Sequence, residues 1–201
     1  MQPIPPDLAG HPDRLKWNAR YSGSQPSFAP HPVAEAALAL PAPDGPVLEL
    51  ACGPSGSALL AAATGRPVTA VDASDVALGM LADEAQRRGL GTLITPVLAD
   101  LGSWRPRAAG FSLVLCTNYW DRAVFARAVT AVRAGGVLAW QALTEAARIG
   151  HPQLPPEWCL GPGEPASLLP PGFAVLSQDD EGPQPATRRR LLASRSDQPT
   201  G

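Results

Sequence analysis

Lys16 is the only lysine in this chain; every other basic residue is arginine. The abundance of arginine, alanine and proline reads as a coding bias with no mechanism attached. Charge of either sign is scarce, at 17% of residues, and the formal net charge is -2. That balance gives no footprint for nucleic acid or for an anionic membrane. The one basic run, Arg188-Arg189-Arg190, falls in a predicted strand and reads as a solvated edge face. Cys52, Cys116 and Cys159 are far apart and form no C-x-x-C pair, which excludes the usual zinc and disulfide frameworks. An odd cysteine count fits a reducing cytoplasm. His11, His31 and His151 each stand beside a proline, in no Ser/His/Asp or metal-ligand pattern. No apolar run approaches the length of a membrane span, and no signal peptide is indicated.

At 201 residues the chain has the length of one domain with a full core. Residues 1–10 are proline-rich and expected to be loose. Short helices are expected over residues 13–21 and 33–40, the second stopped by Pro41 and Pro43, with residues 26–32 as a linker. An alternating pattern follows. Strands are expected over 47–50, 68–71, 93–98, 111–116 and 137–141. Helices are expected over 57–63, 75–88, capped by Ser74, and 121–132. After a Pro- and Gly-rich loop over 151–171, two strands over 173–176 and 187–193 close the chain. The expected fold is α/β: a Rossmann-like doubly wound sheet, mostly parallel with a reversed last strand, helices on both faces. Residues 1–45 read as a helical cap and linker, 46–195 as the Rossmann-like domain, and 196–201 as a disordered tail.

The first strand runs Val47-Leu48-Glu49-Leu50 into the turn Ala51-Cys52-Gly53-Pro54-Ser55-Gly56. The second strand ends in Asp72, about 20 residues past Glu49, the spacing that places an acid on a ribose. In doubly wound folds the ligand lies across the carboxyl ends of the strands. The candidates are therefore Glu49, Ala51, Gly53, Asp72, Asp100, Leu101 and the segment Thr117 to Tyr119. Ala51-x-Gly53-x-x-Gly56 imitates a dinucleotide fingerprint, but Glu49 sits where it repels a pyrophosphate. An acid there favours the ammonium and sulfonium of S-adenosylmethionine.

These residues carry a resemblance to the class I S-adenosylmethionine-dependent methyltransferases, and more narrowly to the small bacterial tellurite-resistance and thiopurine-type enzymes. Trp17-Asn18-Ala19-Arg20-Tyr21 resembles the leading W-x-x-x-Y element, and Glu49-Leu50-Ala51-Cys52-Gly53 the first motif. Val71-Asp72-Ala73-Ser74 resembles the second motif, and Ala99-Asp100-Leu101 the acid-apolar pair beside adenine. Arg133-Ala134-Gly135-Gly136 resembles the turn into strand five, and Asn118-Tyr119-Trp120-Asp121-Arg122 an N-Y-x-x-R segment. The resemblance implies S-adenosylmethionine as cofactor, with Asp72 on the ribose hydroxyls, Asp100 and the Leu101 backbone on adenine, and Glu49 near the amino group. It also implies a small-molecule acceptor approaching Asn118 and Tyr119, the catalytic candidates. Trp17 and Tyr21 stand either as a lid over the cofactor or as an aromatic anchor for their helix. Ala51, Gly53 and Ala73 complete the cofactor set.

One departure matters. The family loop continues G-x-G, whereas here Pro54-Ser55 precede Gly56. If Ser55 needs positive φ it carries strain. That keeps open a degenerate module that binds cofactor or partner without catalysis. A nicotinamide-dependent oxidoreductase is the third reading, disfavoured by Glu49 and the closing hairpin. Cys52 reads as a small buried filler. Glu157 and Trp158 are the large or charged candidates of the long loop.

Overall fold

The computed structural model describes residues 4–182, 185 and 187–197. Of the tail expected over 196–201, residues 198–201 lie outside the described residues, as do 1–3 of the N-terminal stretch. In chain order the elements are α1 (Pro12–Ser22), α2 (Pro32–Leu38), β1 (Val47–Leu50), α3 (Gly56–Ala63), β2 (Val68–Asp72), α4 (Asp75–Arg87), β3 (Ile94–Leu98), β4 (Phe111–Thr117), α5 (Arg122–Ala131), β5 (Val132–Leu143), α6 (Ala147–Gly150), β6 (Phe173–Glu181) and β7 (Arg188–Arg195).

The sheet order is β3-β2-β1-β4-β5-β7-β6. β1 to β5 are parallel, and β7 runs antiparallel to both β5 and β6. This is the expected doubly wound arrangement with a reversed last strand. The order reverses at β1 and β4, so a crevice opens at the carboxyl ends of those strands. Alternation along β1 sorts its side chains to two faces. Leu48 and Leu50 join a core with α5 residues Val124, Phe125 and Ala128. Val47 faces the opposite core, with Leu59 of α3, Leu81 of α4 and Val33 of α2. Glu49 shares parity with Val47, so its carboxylate is directed to the α3 side.

Three expectations change. The N-terminal stretch is anchored at Leu8, which is buried against Leu78 and Leu98, because a large apolar side chain outweighs the prolines around it. β5 begins at Val132, and its register with β4 shifts where Arg133 to Gly136 bulge out, with Gly135 at φ 69°. The arginine run is on an interior strand: β7 lies between β5 and β6, and Arg189 and Arg190 pair with Asp180 and Asp179 of β6.

Candidate functional site

A cavity of about 590 Å³ opens at the carboxyl ends of the parallel strands. Trp17, Ala51, Asp72, Ala73, Asp100, Leu101, Asn118 and Tyr119 all line it. Tyr21, Glu49 and Gly53 stand behind that wall.

The loop after β1 explains both groups. Ala51 takes φ 49° and Gly53 φ 56°, so the chain turns twice through left-handed backbone. Gly53 is required on two counts. A Cβ there would lie 2.8 Å from the Tyr21 hydroxyl, and only glycine holds this φ without strain. The Gly53 N–H donates to Asp72 Oδ2 at 2.8 Å, and the Ser74 N–H to Oδ1 at 2.8 Å. Asp72 is thereby held at the end of β2, 7% exposed, with desolvation raising its carboxyl above the usual range.

Ser55 is not strained. Its φ is -82°, and it caps α3 by accepting the Ala58 N–H at 2.9 Å. Its hydroxyl reaches Glu49 at 2.7–2.8 Å. The glycine lacking at this position is therefore no defect, and the main motive for a degenerate module is gone. Burial pushes the Glu49 carboxyl up to about 8; the Ser55 hydroxyl pulls against this and the charge of Asp72 adds to it. Burial thus favours the protonated form of Glu49 in the free protein. Desolvation also pushes the Cys52 thiol well up, with Asp72 and Glu49 nearby, which suits a filler and not a nucleophile.

The N-terminus of α3 has no room for a pyrophosphate. The Phe28 and Ala29 backbone packs directly on Gly56, and the His31 N–H donates to Ser57 Oγ at 3.0 Å. With Ser55 on Ala58 and Glu49 beneath, the groups that cradle phosphate in dinucleotide folds are occupied. The surviving wall carries Asp72 and Asp100 and suits an adenosine ligand without phosphates. Asp100 follows β3, and its oxygens accept the Gly102 and Ser103 N–H groups at 2.9 and 3.1 Å.

Across the crevice, Asn118 sits at φ 57°, and its N–H donates to the Gln141 carbonyl at 2.8 Å. The Tyr119 carbonyl accepts the Trp140 indole N–H at 3.0 Å. Trp140, fully buried, packs edge-on against Trp120 and Phe125, so the segment after β4 is fixed by the core. Desolvation, with Asp121 next in effect, raises the Tyr119 phenol, so it rests as a donor.

α1 forms the outer wall. Trp17 and Tyr21 stack at 5.8 Å. Arg14 and Asn18 each donate to Asp75 at 2.7 Å, and the Ser74 hydroxyl to Asn18 at 2.7 Å, mooring α1 to the start of α4. His11, Asp13 and Lys16 also line the cavity, and the His11 Nδ1 is buried without a partner. These residues escaped the sequence reading. The spacing of Asp13, Lys16 and Trp17, three and four apart, puts them on one helix face and was the available signal.

Residues 47–136 match a family model described as a methyltransferase domain. No curated protein matches the chain. Among solved structures, one described as the conversion of a disulfide bond into a thioacetal group during echinomycin biosynthesis has a TM-score of 0.67 at 21% identity, over 94% of each chain. The CcbJ methyltransferase from Streptomyces caelestis has a TM-score of 0.65 at 17% identity, covering 92% of this chain and 97% of its own. The geranyl diphosphate C-methyltransferase from Streptomyces coelicolor A3(2), in complex with Mg2+, geranyl diphosphate and S-adenosyl-L-homocysteine, has a TM-score of 0.65 at 11% identity, covering 94% and 99%. The methyltransferase-domain match runs from β1 into the first part of β5, the stretch that builds the inner wall of the cavity. The match and the neighbours show that the chain shares the fold of these methyltransferases.

Proposed function

We propose that this protein transfers the methyl group of S-adenosylmethionine to a small-molecule acceptor by in-line displacement in this cavity. The observation that carries the reading is the convergence of the Ala51 loop, Asp72 and Asp100, from three neighbouring strand ends, on one wall beside an α3 N-terminus closed to phosphate. The bound cofactor supplies a sulfonium methyl that is already activated, so alignment and exclusion of water are the protein's tasks.

Asp72 holds the ribose hydroxyls. Gly53 and Ser74 each take a lone-pair site on one of the Asp72 oxygens, the Ala73 amide lies close as well, and capacity among the roughly four sites remains for ligand. Asp100 and the Leu101 backbone flank adenine. Ala51, Gly53 and Ala73 keep the wall thin beside the cofactor. Glu49 acts through Ser55, fixing the loop that approaches the amino group. Trp17 caps the cavity from α1 with Tyr21 stacked behind it, and the segment ahead of β1 serves as that cap. Asn118 and Tyr119 position the acceptor, the phenol as a hydrogen-bond donor.

The order of the Trp17–Tyr21, Glu49–Gly53 and Asn118–Arg122 segments supports the tellurite-resistance and thiopurine-type group as the nearer kinship. Three free cysteines support a reducing compartment, the cytoplasm. Among the described residues no helix is long and apolar enough to cross a membrane.

Thermal denaturation tests the cofactor. Saturating S-adenosylhomocysteine should raise the midpoint, by about 2.7 kcal/mol of stabilisation at 100 times its dissociation constant. NAD should leave it unchanged. The opposite pattern would overturn the reading.

A further inference from the structure

Lys16 stands on the cavity wall, and its ammonium lies 4.9 Å from the Trp158 ring centroid and 5.2 Å from that of Trp17. The two indoles come from α1 and from the loop after β5, so the contact closes across the cavity mouth. Cation–π contacts hold an ammonium in place without consuming its N–H donors. Among the described residues, no acceptor oxygen or carboxylate engages those donors. Asp13, one helical turn away, leaves Lys16 unpaired.

The composition sharpens this. Everywhere else the chain uses arginine as its cation. A guanidinium would spread its charge and stack flat on the indole, whereas an ammonium is a compact charge with three rotatable donors. A lysine here is thus a departure from the chain's own habit, at a point where one ammonium bridges two tryptophan rings.

The geometry points to Lys16, Trp17 and Trp158 as the anchoring subsite of the methyl acceptor, selecting a planar monoanion such as a small aromatic carboxylate. The ammonium supplies the charge and donors for a carboxylate. The exposed face of Trp158, 46% accessible, supplies a surface for a flat ring. Asp13, Asp121 and Glu157 on the same wall oppose a second negative charge. The Arg122 guanidinium is already committed to Glu164, at 2.7 and 2.9 Å, and leaves Lys16 as the free cation among the described wall residues. This inference rests on the reading of the cavity as a methyl-transfer site, and it names the acceptor's class.

Calorimetric titration of the S-adenosylhomocysteine-loaded protein tests it, with benzoate as the probe and benzamide and benzylamine as neutral and cationic counterparts. Benzoate should bind at least about tenfold more tightly than either, the scale of one charge-assisted hydrogen bond. Lys16→Met should lose about tenfold in benzoate affinity while its thermal midpoint and S-adenosylhomocysteine affinity hold. Lys16→Arg should recover part of the loss, and Trp158→Ala should weaken benzoate as well. Benzamide binding as tightly as benzoate, tighter binding of benzylamine, or unchanged benzoate affinity in Lys16→Met would each overturn the subsite. Should S-adenosylhomocysteine itself fail to bind, the cofactor reading falls. Titration of the free protein then decides the subsite separately: Lys16-dependent benzoate binding supports it, and no binding overturns it.

Discussion

The two walls of the cavity are built in opposite ways. The inner wall, from Ala51 through Asp72 to Asp100, is made of strand ends whose polar groups are already engaged. Asp72 holds two backbone amides, Ser55 holds Glu49 and caps α3, and Asp100 holds its own turn. The outer wall, from Lys16 and Trp17 to Trp158, joins a helix and an irregular loop about 140 residues apart by exposed ring and charge contacts. The inner wall is therefore preorganised and expensive to alter. The outer wall is adaptable, with contacts worth roughly 0.5–1 kcal/mol each at exposed sites. In the proposed function the first serves a fixed cofactor and the second a particular acceptor.

The largest effect expected is that of Asp72→Ala. The carboxylate fixes the Gly53 and Ser74 amides from a buried position, so its removal leaves both without a partner. Hydrogen bonds to charged groups contribute roughly 1.5–3 kcal/mol. Chemical denaturation should show a loss of roughly 2–4 kcal/mol, and calorimetry should show S-adenosylhomocysteine affinity falling at least about tenfold. Loss of affinity at full stability would mean that the amides find other partners and that the inner wall is less preorganised than the outer.

Glu49 tests the same wall through pH. Burial pushes its carboxyl up to about 8 in the folded chain, from an ordinary value of 4.5. Between those values the unfolded chain has released the proton that the folded chain keeps. Stability from this group is therefore full below about 4.5 and declines as pH rises, flattening above about 8. Glu49→Gln is neutral throughout. Its stability should gain on the wild type by up to about 1.4 kcal/mol per pH unit within the window. The raised Asp72 carboxyl has the same sign, but it is present in both proteins and cancels in the difference. Parallel curves from pH 5 to 8 would show that Glu49 is ionised in the fold.

The difference between the walls also explains what could be read from the chain. Strand and helix order followed from apolar runs, clearest in β1 and β4, which are buried on both faces between two cores. Asp72 and Asp100 were legible because a doubly wound sheet fixes where its strands end. The condition set for Ser55 is not met because the turn's positive φ angles fall at Ala51 and Gly53, and the cap lies two residues past the left-handed glycine. Trp158 could be named but not placed. Its contact with Lys16 depends on how a long loop folds over a helix, and local periodicity carries no information about that. Lys16 was dismissed with the coding bias that makes it unusual.

Ser55→Gly sharpens the comparison from inside the inner wall. Glycine replaces serine at a cap for only a few tenths of a kcal/mol. The greater loss is the partner of Glu49, a buried acid, so a fall of about 1–2 kcal/mol in urea unfolding is expected, with weaker S-adenosylhomocysteine binding. Stabilisation instead would mean that the loop is strained after all.

The smallest effect expected lies at the seam between the walls. Asn118 is exposed, at φ 57°, with its N–H fixed to the Gln141 carbonyl. Asparagine tolerates this conformation, alanine does so at a cost of about 1 kcal/mol, and glycine at none. Asn118→Ala therefore confounds backbone strain with loss of the amide, and Asn118→Gly separates them. Stability should fall by about 1 kcal/mol for alanine and by less for glycine. Affinity for S-adenosylhomocysteine should stay within a few-fold of wild type in both. With an acceptor that the wild-type protein methylates, both variants should lose transfer rate, because the amide would meet the acceptor only during turnover. A rate loss shared by kcat/KM and kcat would assign Asn118 to transition-state alignment, and a rise in KM alone to uniform binding. If only the alanine variant slows, the backbone conformation rather than the amide positions the acceptor, and Tyr119, carried on the same turn, becomes the side chain that does so.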